Sequence, residues 1–255
     1  MGEANAPLLS LRQLTRRFGG LTAVDNVSAD IQRGELVGLI GPNGAGKTTL
    51  FNLISGVTPP SSGEVAFEGR TITGLRPFEV ARLGIARTFQ NLRIFPNMTV
   101  FDNVSVGAIR DCGLRDALFE RESARGQAIS GVSTEMLAKV GLASFSDELA
   151  ANLSYGKRKM LEIARALAGR PKLLILDEPA AGLNDTETVE LAQFIERLRD
   201  EGLTILLVEH DMGLVMRVCS RVVVLAFGRK IADADPATVR LDPAVLDAYL
   251  GTGDE

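Results

Sequence analysis

The residues best equipped for chemistry form one run, Gly41-Pro42-Asn43-Gly44-Ala45-Gly46-Lys47-Thr48-Thr49. It fits the pattern G-x-x-x-x-G-K-[ST], with Gly41, Gly46, Lys47 and Thr48 at the fixed positions. Glycines let such a loop turn its backbone N–H groups inward onto a polyphosphate, and the helix that follows adds the positive end of its dipole. Lys47 can then reach the β- and γ-phosphates, and the Thr48 hydroxyl can ligate Mg²⁺. The flanks agree. ELVGLI (35–40) is a short apolar run of strand type, and KTTLFNLIS keeps apolar residues at helical spacing until Gly56. The chemistry predicted here is nucleoside triphosphate binding.

A second set of candidates lies after apolar strands. PKLLILDEP carries Asp177 to the C-terminal end of a buried strand, where a carboxylate can hold Mg²⁺ directly or through water. Glu178 follows it, on the strand's other face or its end, placed to take a proton from water attacking a γ-phosphate. LTILLVEHD runs into Glu209, His210 and Asp211; His210, the only histidine of the chain, is either a packed or surface residue or a contact to the γ-phosphate or to Glu178. Gln90 follows the strand-like IARTF and is either a solvated surface residue or part of the phosphate site. Phe18, the one aromatic before the phosphate loop, fits core packing or stacking on a base.

The elements that must position these residues read as an α/β protein. Leu8 to Phe18 alternates loosely and reads as an edge strand, and VDNVSADIQRGE as a second strand ending at Gly34. After the phosphate-loop helix come a TPPSSGE loop, a hairpin in EVAFEGRTI, and a short helix from Pro77 to near Gly84. From about Asn97 to Asn152 strand-like runs vanish, and segments such as RDALFERESARGQA and STEMLAKVGL read as a mainly helical insertion. The α/β alternation then resumes. A helix follows SYG with Met160, Ile163, Ala164 and Leu167 on one face; the helix after it is capped by Asn184 with Glu187 three residues on. RVVVLAFGRKIAD reads as a hairpin turning at Gly228, and Asp242-Pro243 opens a C-terminal helix. The order implies a mostly parallel sheet with helices on both faces.

Composition bounds the function. At 255 residues the chain can bury a substantial core in one or two domains. Its 28 Lys+Arg against 32 Asp+Glu give a net charge of −4, which argues against a nucleic-acid binder relying on global basicity and leaves open a local basic patch. Cys112 and Cys219 lack metal-site spacing and read as reduced thiols of a cytosolic protein. MGEANAPLLSLRQL has neither a basic nor an apolar signal region, and the longest apolar runs, LTILLV and VVVLAF, are too short to cross a bilayer.

Taken together, GPNGAGKTT, Gln90, LSYGK (153–157), LLILDEP and EHD resemble, in the same order along nearly the whole chain, the ATP-binding-cassette ATPases. LSYGK is the diagnostic element and corresponds to the family signature LSGGQ. The resemblance implies a P-loop NTPase cassette: one domain over 8–255, with a RecA-like α/β core about 8–90 and 158–235 and an N-terminal antiparallel β part. A helical subdomain would span about 91–157 and a C-terminal helix about 243–250. By the same resemblance Phe18 stacks on adenine, and the whole loop from Gly41 through Pro42, Asn43, Gly44, Ala45, Gly46, Lys47 and Thr48 to Thr49 binds ATP. Gln90 senses Mg²⁺ and the transporter, so the metal set is Thr48, Gln90 and Asp177. Glu178 is the catalytic base, 181–184 the D-loop, and His210 the switch histidine; Lys47 and Gln90 complete the catalytic set.

The resemblance also implies two cassettes head to tail, homologous or identical, each ATP lying between one phosphate loop and Ser154, Tyr155 and Gly156 of the other. RFGGLTAVDNVS, ARTFQNLRIFPNMTVFDNV, DEPAAGLN and DPAVLDAYLG narrow it to ATPase subunits of branched-chain amino-acid importers. Such a subunit is peripheral on the cytoplasmic face of the inner membrane. It would energise separate permease subunits, which a solute-binding protein supplies with leucine, isoleucine or valine; other amino acids or urea are the alternative cargo. The segment Phe95 to Val106 would form the permease docking groove, with Gln90 linking it to the nucleotide. Departures from the family pattern are Phe18 for tyrosine, Tyr155 for the first signature glycine, Lys157 for glutamine, and Asn184 for aspartate. A soluble cassette ATPase of DNA repair or translation would carry a long coiled coil or two cassettes, and a GTPase an [NT]KxD motif; this sequence has one phosphate loop, no heptad run and no such motif. No nucleic-acid partner is expected.

Overall fold

A computed structural model describes residues 6–109 and 122–250 of the chain. They form two compact units, one of residues 1–83 with 195–255 and one of residues 84–194. The expected helix in RDALFERESARGQA lies partly, and Cys112 wholly, outside the described residues.

The first unit holds two sheets. In one, β1 (Leu9–Phe18) pairs antiparallel with β2 (Leu21–Ile31) and with β4 (Ser62–Phe67), which continues into β5 (Arg70–Thr71). The strand order is β2-β1-β4-β5, so β1 is a central strand and not the edge its sequence suggests. Its second neighbour arrives from a hairpin more than forty residues downstream (~50 positions away in sequence), a pairing with no local signal. The loose alternation has a cause as well. A bulge at Gln13 (φ 48°) shifts the phase so that Leu14, not Gln13, is buried.

The other sheet positions the phosphate loop. β3 (Leu36–Ile40) lies between β8 (Thr204–Val208) and β9 (Arg221–Ala226), parallel to both, and β10 (Arg229–Ala234) closes a hairpin on β9 through Gly228. Every residue of β3 and β8 is buried, as expected of parallel strands covered on both faces. Helix α1 (Lys47–Ile54) follows β3, and α2 (Pro77–Leu83) precedes the second unit.

In the second unit β6 (Ile85–Arg87) pairs parallel with β7 (Leu173–Asp177), Arg87 opposite Ile175. Between them in sequence run α3 (Val100–Ala108), α4 (Glu122–Lys139) and α5 (Tyr155–Ala168), and α6 (Asp185–Asp200) begins after β7. Helices α3 and α5 approach until a Cβ at Gly107 would stand 2.0 Å from the Arg165 carbonyl oxygen, so only glycine fits there. Asn103 is fully buried and satisfied: its Oδ1 accepts from Phe95 N–H (2.8 Å), and its Nδ2 donates to the Phe95 and Thr99 carbonyls (3.0 and 2.9 Å). That side chain ties the 95–99 loop to α3. The last helices of the chain, α7 (Met212–Val218), α8 (Pro236–Leu241) and α9 (Pro243–Leu250), belong to the first unit, and α9 is the helix expected from Asp242-Pro243.

Candidate nucleotide site

The phosphate loop is built from β3 upward. The buried strand ends at Ile40 and the chain turns at Gly41 (φ 150°), where a Cβ would lie 2.1 Å from the Leu225 carbonyl oxygen. Gly46 (φ 101°) is equally constrained, with the Ala23 oxygen 2.4 Å from its missing Cβ. Both fixed glycines of the motif are therefore required by φ and by contact. Gly46 is also the N-cap of α1 and supplies no side chain to its amides, and the first turn carries no acidic residue. That leaves the dipole's positive end directed at an anion. Lys47 is buried, and its Nζ donates to the carbonyls of Gly41 (2.5 Å) and Pro42 (3.0 Å). Thr48 is exposed, with its hydroxyl accessible to a cation.

Three further residues with candidate chemistry belong to the first unit. Phe18, at the end of β1, is 47% exposed, with the Arg16 guanidinium 4.5 Å from its ring centre. Core packing is excluded, and a face open to stacking remains. His210 follows β8 and is exposed; its peptide N–H donates to the Glu209 carboxylate (3.1 Å), and Asp211 next to it caps α7 through Leu214 N–H (3.1 Å). The histidine is thus held at the strand's C-terminal end by its neighbours. Cys219 is buried, and desolvation pushes its thiol up to about 12, so it carries no thiolate at neutral pH.

Tyr249 is a site residue that sequence reasoning missed. It lies in the last turn of α9, near enough to the backbone of Gly41, the first residue of the phosphate loop, for that backbone to act on its phenol. Burial raises the phenol above its ordinary value, and the Gly41 backbone partly offsets the rise. The sequence predicts α9 but offers no signal that its end returns to residue 41. If the Tyr249 hydroxyl steadies Gly41, Tyr249→Phe is expected to weaken ATP affinity by about two- to tenfold, the scale of one neutral polar contact. Titration with a fluorescent ATP analogue checks this.

The second unit assembles the carboxylates. β7 ends at Asp177, whose buried Oδ2 accepts from Arg87 Nη2 on the neighbouring β6 (2.8 Å). Arg87 in turn lies 5.1 Å from the Phe89 ring centre. It too was missed, because an arginine at a strand end reads as a surface charge. The Asp177 N–H donates to the Thr88 hydroxyl (3.3 Å), which fixes the strand end. Glu178 then takes φ 47°, a left-handed conformation uncommon for a non-glycine residue and typical of strained functional positions. Its Oε2 accepts from Gln90 Nε2 at 2.7 Å. Two residues eighty-eight apart in sequence (~90), singled out for different reasons, are brought into direct contact.

The signature segment closes the set. Ser154 is the N-cap of α5, its Oγ accepting from Lys157 N–H (3.4 Å). Tyr155, standing where the family has glycine, lays its ring against Gly182 (φ 81°), where a Cβ would be 2.9 Å from the ring. A Cβ on Gly156 would meet Glu187 Oε1 at 2.4 Å. Glu187 is itself engaged in the expected reciprocal cap: its N–H donates to Asn184 Oδ1 (2.9 Å), and Asn184 N–H donates to its Oε2 (3.1 Å). Tyr155, Gly182, Asn184 and Glu187 therefore fit one another. Lys157 places its ammonium 3.7 Å from the Phe145 ring centre, a cation–π contact that accounts for the departure from glutamine. Phe89, Phe95, Val106 and Ile109 remain exposed on this unit.

The donors present fit Mg²⁺. Thr48, Asp177 and the Gln90 amide all offer hard oxygen, the class this cation takes. Among the described residues no group of three or more His, Cys, Asp or Glu can hold a metal. Mg²⁺ bound with a nucleotide would also take phosphate and water oxygens, as it commonly does. No helix of the described residues is long and apolar enough to cross a membrane.

Comparisons with known proteins identify relatives of this chain. Residues 24–181 match the ABC transporter family, and residues 229–255 match a branched-chain amino acid ATP-binding cassette transporter family. The chain is 43% identical to the high-affinity branched-chain amino acid transport ATP-binding protein LivG of Escherichia coli, over 96% of this chain and 98% of that one. Among solved structures it resembles a nucleotide-free ATP-binding cassette from an ABC transporter, with TM-score 0.85, 30% identity, and 95% and 98% of the two chains covered. It also resembles a dimeric cassette in a post-hydrolysis state bound to ADP and Pi, with TM-score 0.76, 26% identity, and 89% and 98% covered.

Proposed function

Because this chain belongs to the ABC transporter family and is an ATPase coupled to transport, we propose that it energises uptake of branched-chain amino acids through separate permease subunits. The observation that carries the reading is the Gln90–Glu178 hydrogen bond, which joins a nucleotide-sensing amide to a carboxylate at the end of β7 in a chain 43% identical to LivG. In this reading Phe18 stacks on adenine, and the loop from Gly41 to Thr49 binds the phosphates, with Lys47 transferring its Nζ bonds from loop carbonyls to phosphate oxygens. Mg²⁺, when bound with ATP, offsets phosphate charge; Thr48, Asp177 and Gln90 would hold it. Glu178 takes the proton of the attacking water, oriented by its bond from Gln90.

Ser154, Tyr155 and Gly156 serve a second cassette, homologous or identical, through the N-terminus of α5, by the same anion physics as the first loop. In this reading the exposed Phe89, Phe95, Val106 and Ile109 form the permease contact, and the protein lies peripherally at the membrane's cytoplasmic face, with a solute-binding protein acting indirectly. For domains, we take the cassette to be one functional ATPase domain over 8–255. Coupling follows if nucleotide and permease bias one two-state element, and Gln90, in contact with Glu178 and five residues before Phe95, is suited to that role.

Removal of the chain from its host tests the cargo. Uptake of labelled leucine, isoleucine and valine is expected to fall together and to return with the gene. Unchanged uptake of all three, with loss of another solute, would reassign the substrate. His210→Ala should cut turnover by about ten- to a hundredfold, the scale of one positioned polar group at the transition state, and leave ATP affinity within about twofold. Steady-state kinetics decide it; unchanged turnover would return His210 to the ordinary surface residues.

A further inference from the structure

Lys159 lies in α5, five residues beyond the cap Ser154, and is 3% exposed. An ammonium taken out of water needs hydrogen-bond acceptors arranged around it. Here two of them are main-chain carbonyls from opposite sides of the Gln90–Glu178 pair: Nζ donates to Gln90 O at 3.2 Å and to Glu178 O at 3.3 Å. The side chains of those same residues bond each other at 2.7 Å. Lys159 therefore closes a ring in which the backbone of each residue is fixed by one cation and their side chains by one hydrogen bond.

The placement matters because of Glu178's backbone. At φ 47° that residue holds a conformation that must be stabilised from outside. Its carbonyl accepts from Ala181 N–H (3.2 Å) and from Lys159. Lys159 also sits one turn before Glu162, which accepts from Arg93 N–H (3.2 Å), so α5 grips the segment 90–93 at two points. Burial pushes the Glu162 carboxyl up, offset by that backbone bond and by Arg165 and Lys159.

We infer that Lys159 is a positioning residue for hydrolysis: it transmits the position of the signature helix to Gln90 and to the carboxylate of Glu178. It touches neither nucleotide nor water in this role. The inference rests on the reading of Glu178 as the base. It also gives the signature helix a direct mechanical connection to the base within one chain, which a motif serving only the second cassette's nucleotide would not need.

The test compares Lys159→Met, which keeps length and loses all donors, with Lys159→Arg, which keeps charge and donors, and with Glu178→Gln. For Lys159→Met, kcat should fall by about tenfold or more, with KM and the affinity for a fluorescent ATP analogue within about twofold of the parent, while Lys159→Arg stays within about threefold in kcat. Parental kcat in Lys159→Met, an equal loss in Lys159→Arg, or parallel losses of kcat and affinity would each overturn the inference. Should Lys159→Met not fold, Lys159→Gln, with one donor able to reach one carbonyl, decides: reduced kcat at parental KM supports the role, and parental kcat refutes it. An active Glu178→Gln would instead sink the base assignment itself, whereas an inert Glu178→Gln beside a parental Lys159→Met sinks only the positioning role.

Discussion

Glu178→Gln should retain ATP binding and lose hydrolysis by about 10²- to 10⁴-fold, the range a positioned general base contributes. The substitution is nearly isosteric. The amide oxygen of the new side chain can still accept from Gln90 Nε2, now at 2.7 Å from Oε2, and the backbone bonds to Ala181 and Lys159 do not involve the side chain. Geometry is therefore kept while basicity is removed, so the loss reports chemistry and not misfolding. With ATP held and unhydrolysed, two cassettes should remain associated, and a nucleotide-dependent dimer should elute from a sizing column. Hydrolysis at near-parental rate would remove Glu178 from its role and leave Gln90 without the partner that gives it meaning.

Lys47→Ala should have the second large effect, on binding. Lys47 is the one cation donating to the loop's own carbonyls, those of Gly41 and Pro42, among the contacts described for them. Bound phosphates would receive those donors instead, in a site where a charge-assisted bond is worth about twice a neutral one. Truncation removes both the charge and the filling of a buried position. ATP affinity is expected to fall by about a hundredfold or more, from roughly 2 × 1.5 kcal/mol of lost charge-assisted bonding. Equilibrium titration with a fluorescent analogue measures it, and micromolar affinity in the variant would contradict the phosphate-loop reading. The folded unit should survive, since β3 is held by its ladders to β8 and β9.

Much of this was legible in sequence because the signals are local. The loop reads from its glycines, whose φ values and close contacts at Gly41 and Gly46 admit no other residue. The cap at Asn184 reads from its three-residue spacing to Glu187, and both bonds form. β3, β7 and β8 read from unbroken apolar runs, and all are buried throughout. What stayed hidden depends on long-range pairing. β1 is central because β4 joins it, and its bulge at Gln13 breaks the alternation that would have marked its faces. Arg87, Lys159 and Tyr249 are a strand-end arginine, a helix lysine and a terminal tyrosine; each becomes meaningful only through residues distant in sequence, 90 positions away for Arg87, or, for Lys159, through two carbonyls at once. Tyr155 and Lys157, departures from the family pattern, are explained by Gly182 and Phe145, neither of which a motif includes.

In the proposed function this chain spends ATP to drive branched-chain amino-acid uptake. The most direct measurement is ATP hydrolysis in proteoliposomes holding the chain with its permease subunits, on addition of the solute-binding protein with and without leucine. Hydrolysis should rise when the leucine-loaded protein is added, leucine should accumulate inside, and both should vanish with Glu178→Gln. Hydrolysis indifferent to leucine, isoleucine and valine alike, with no accumulation of any of them, would contradict the account.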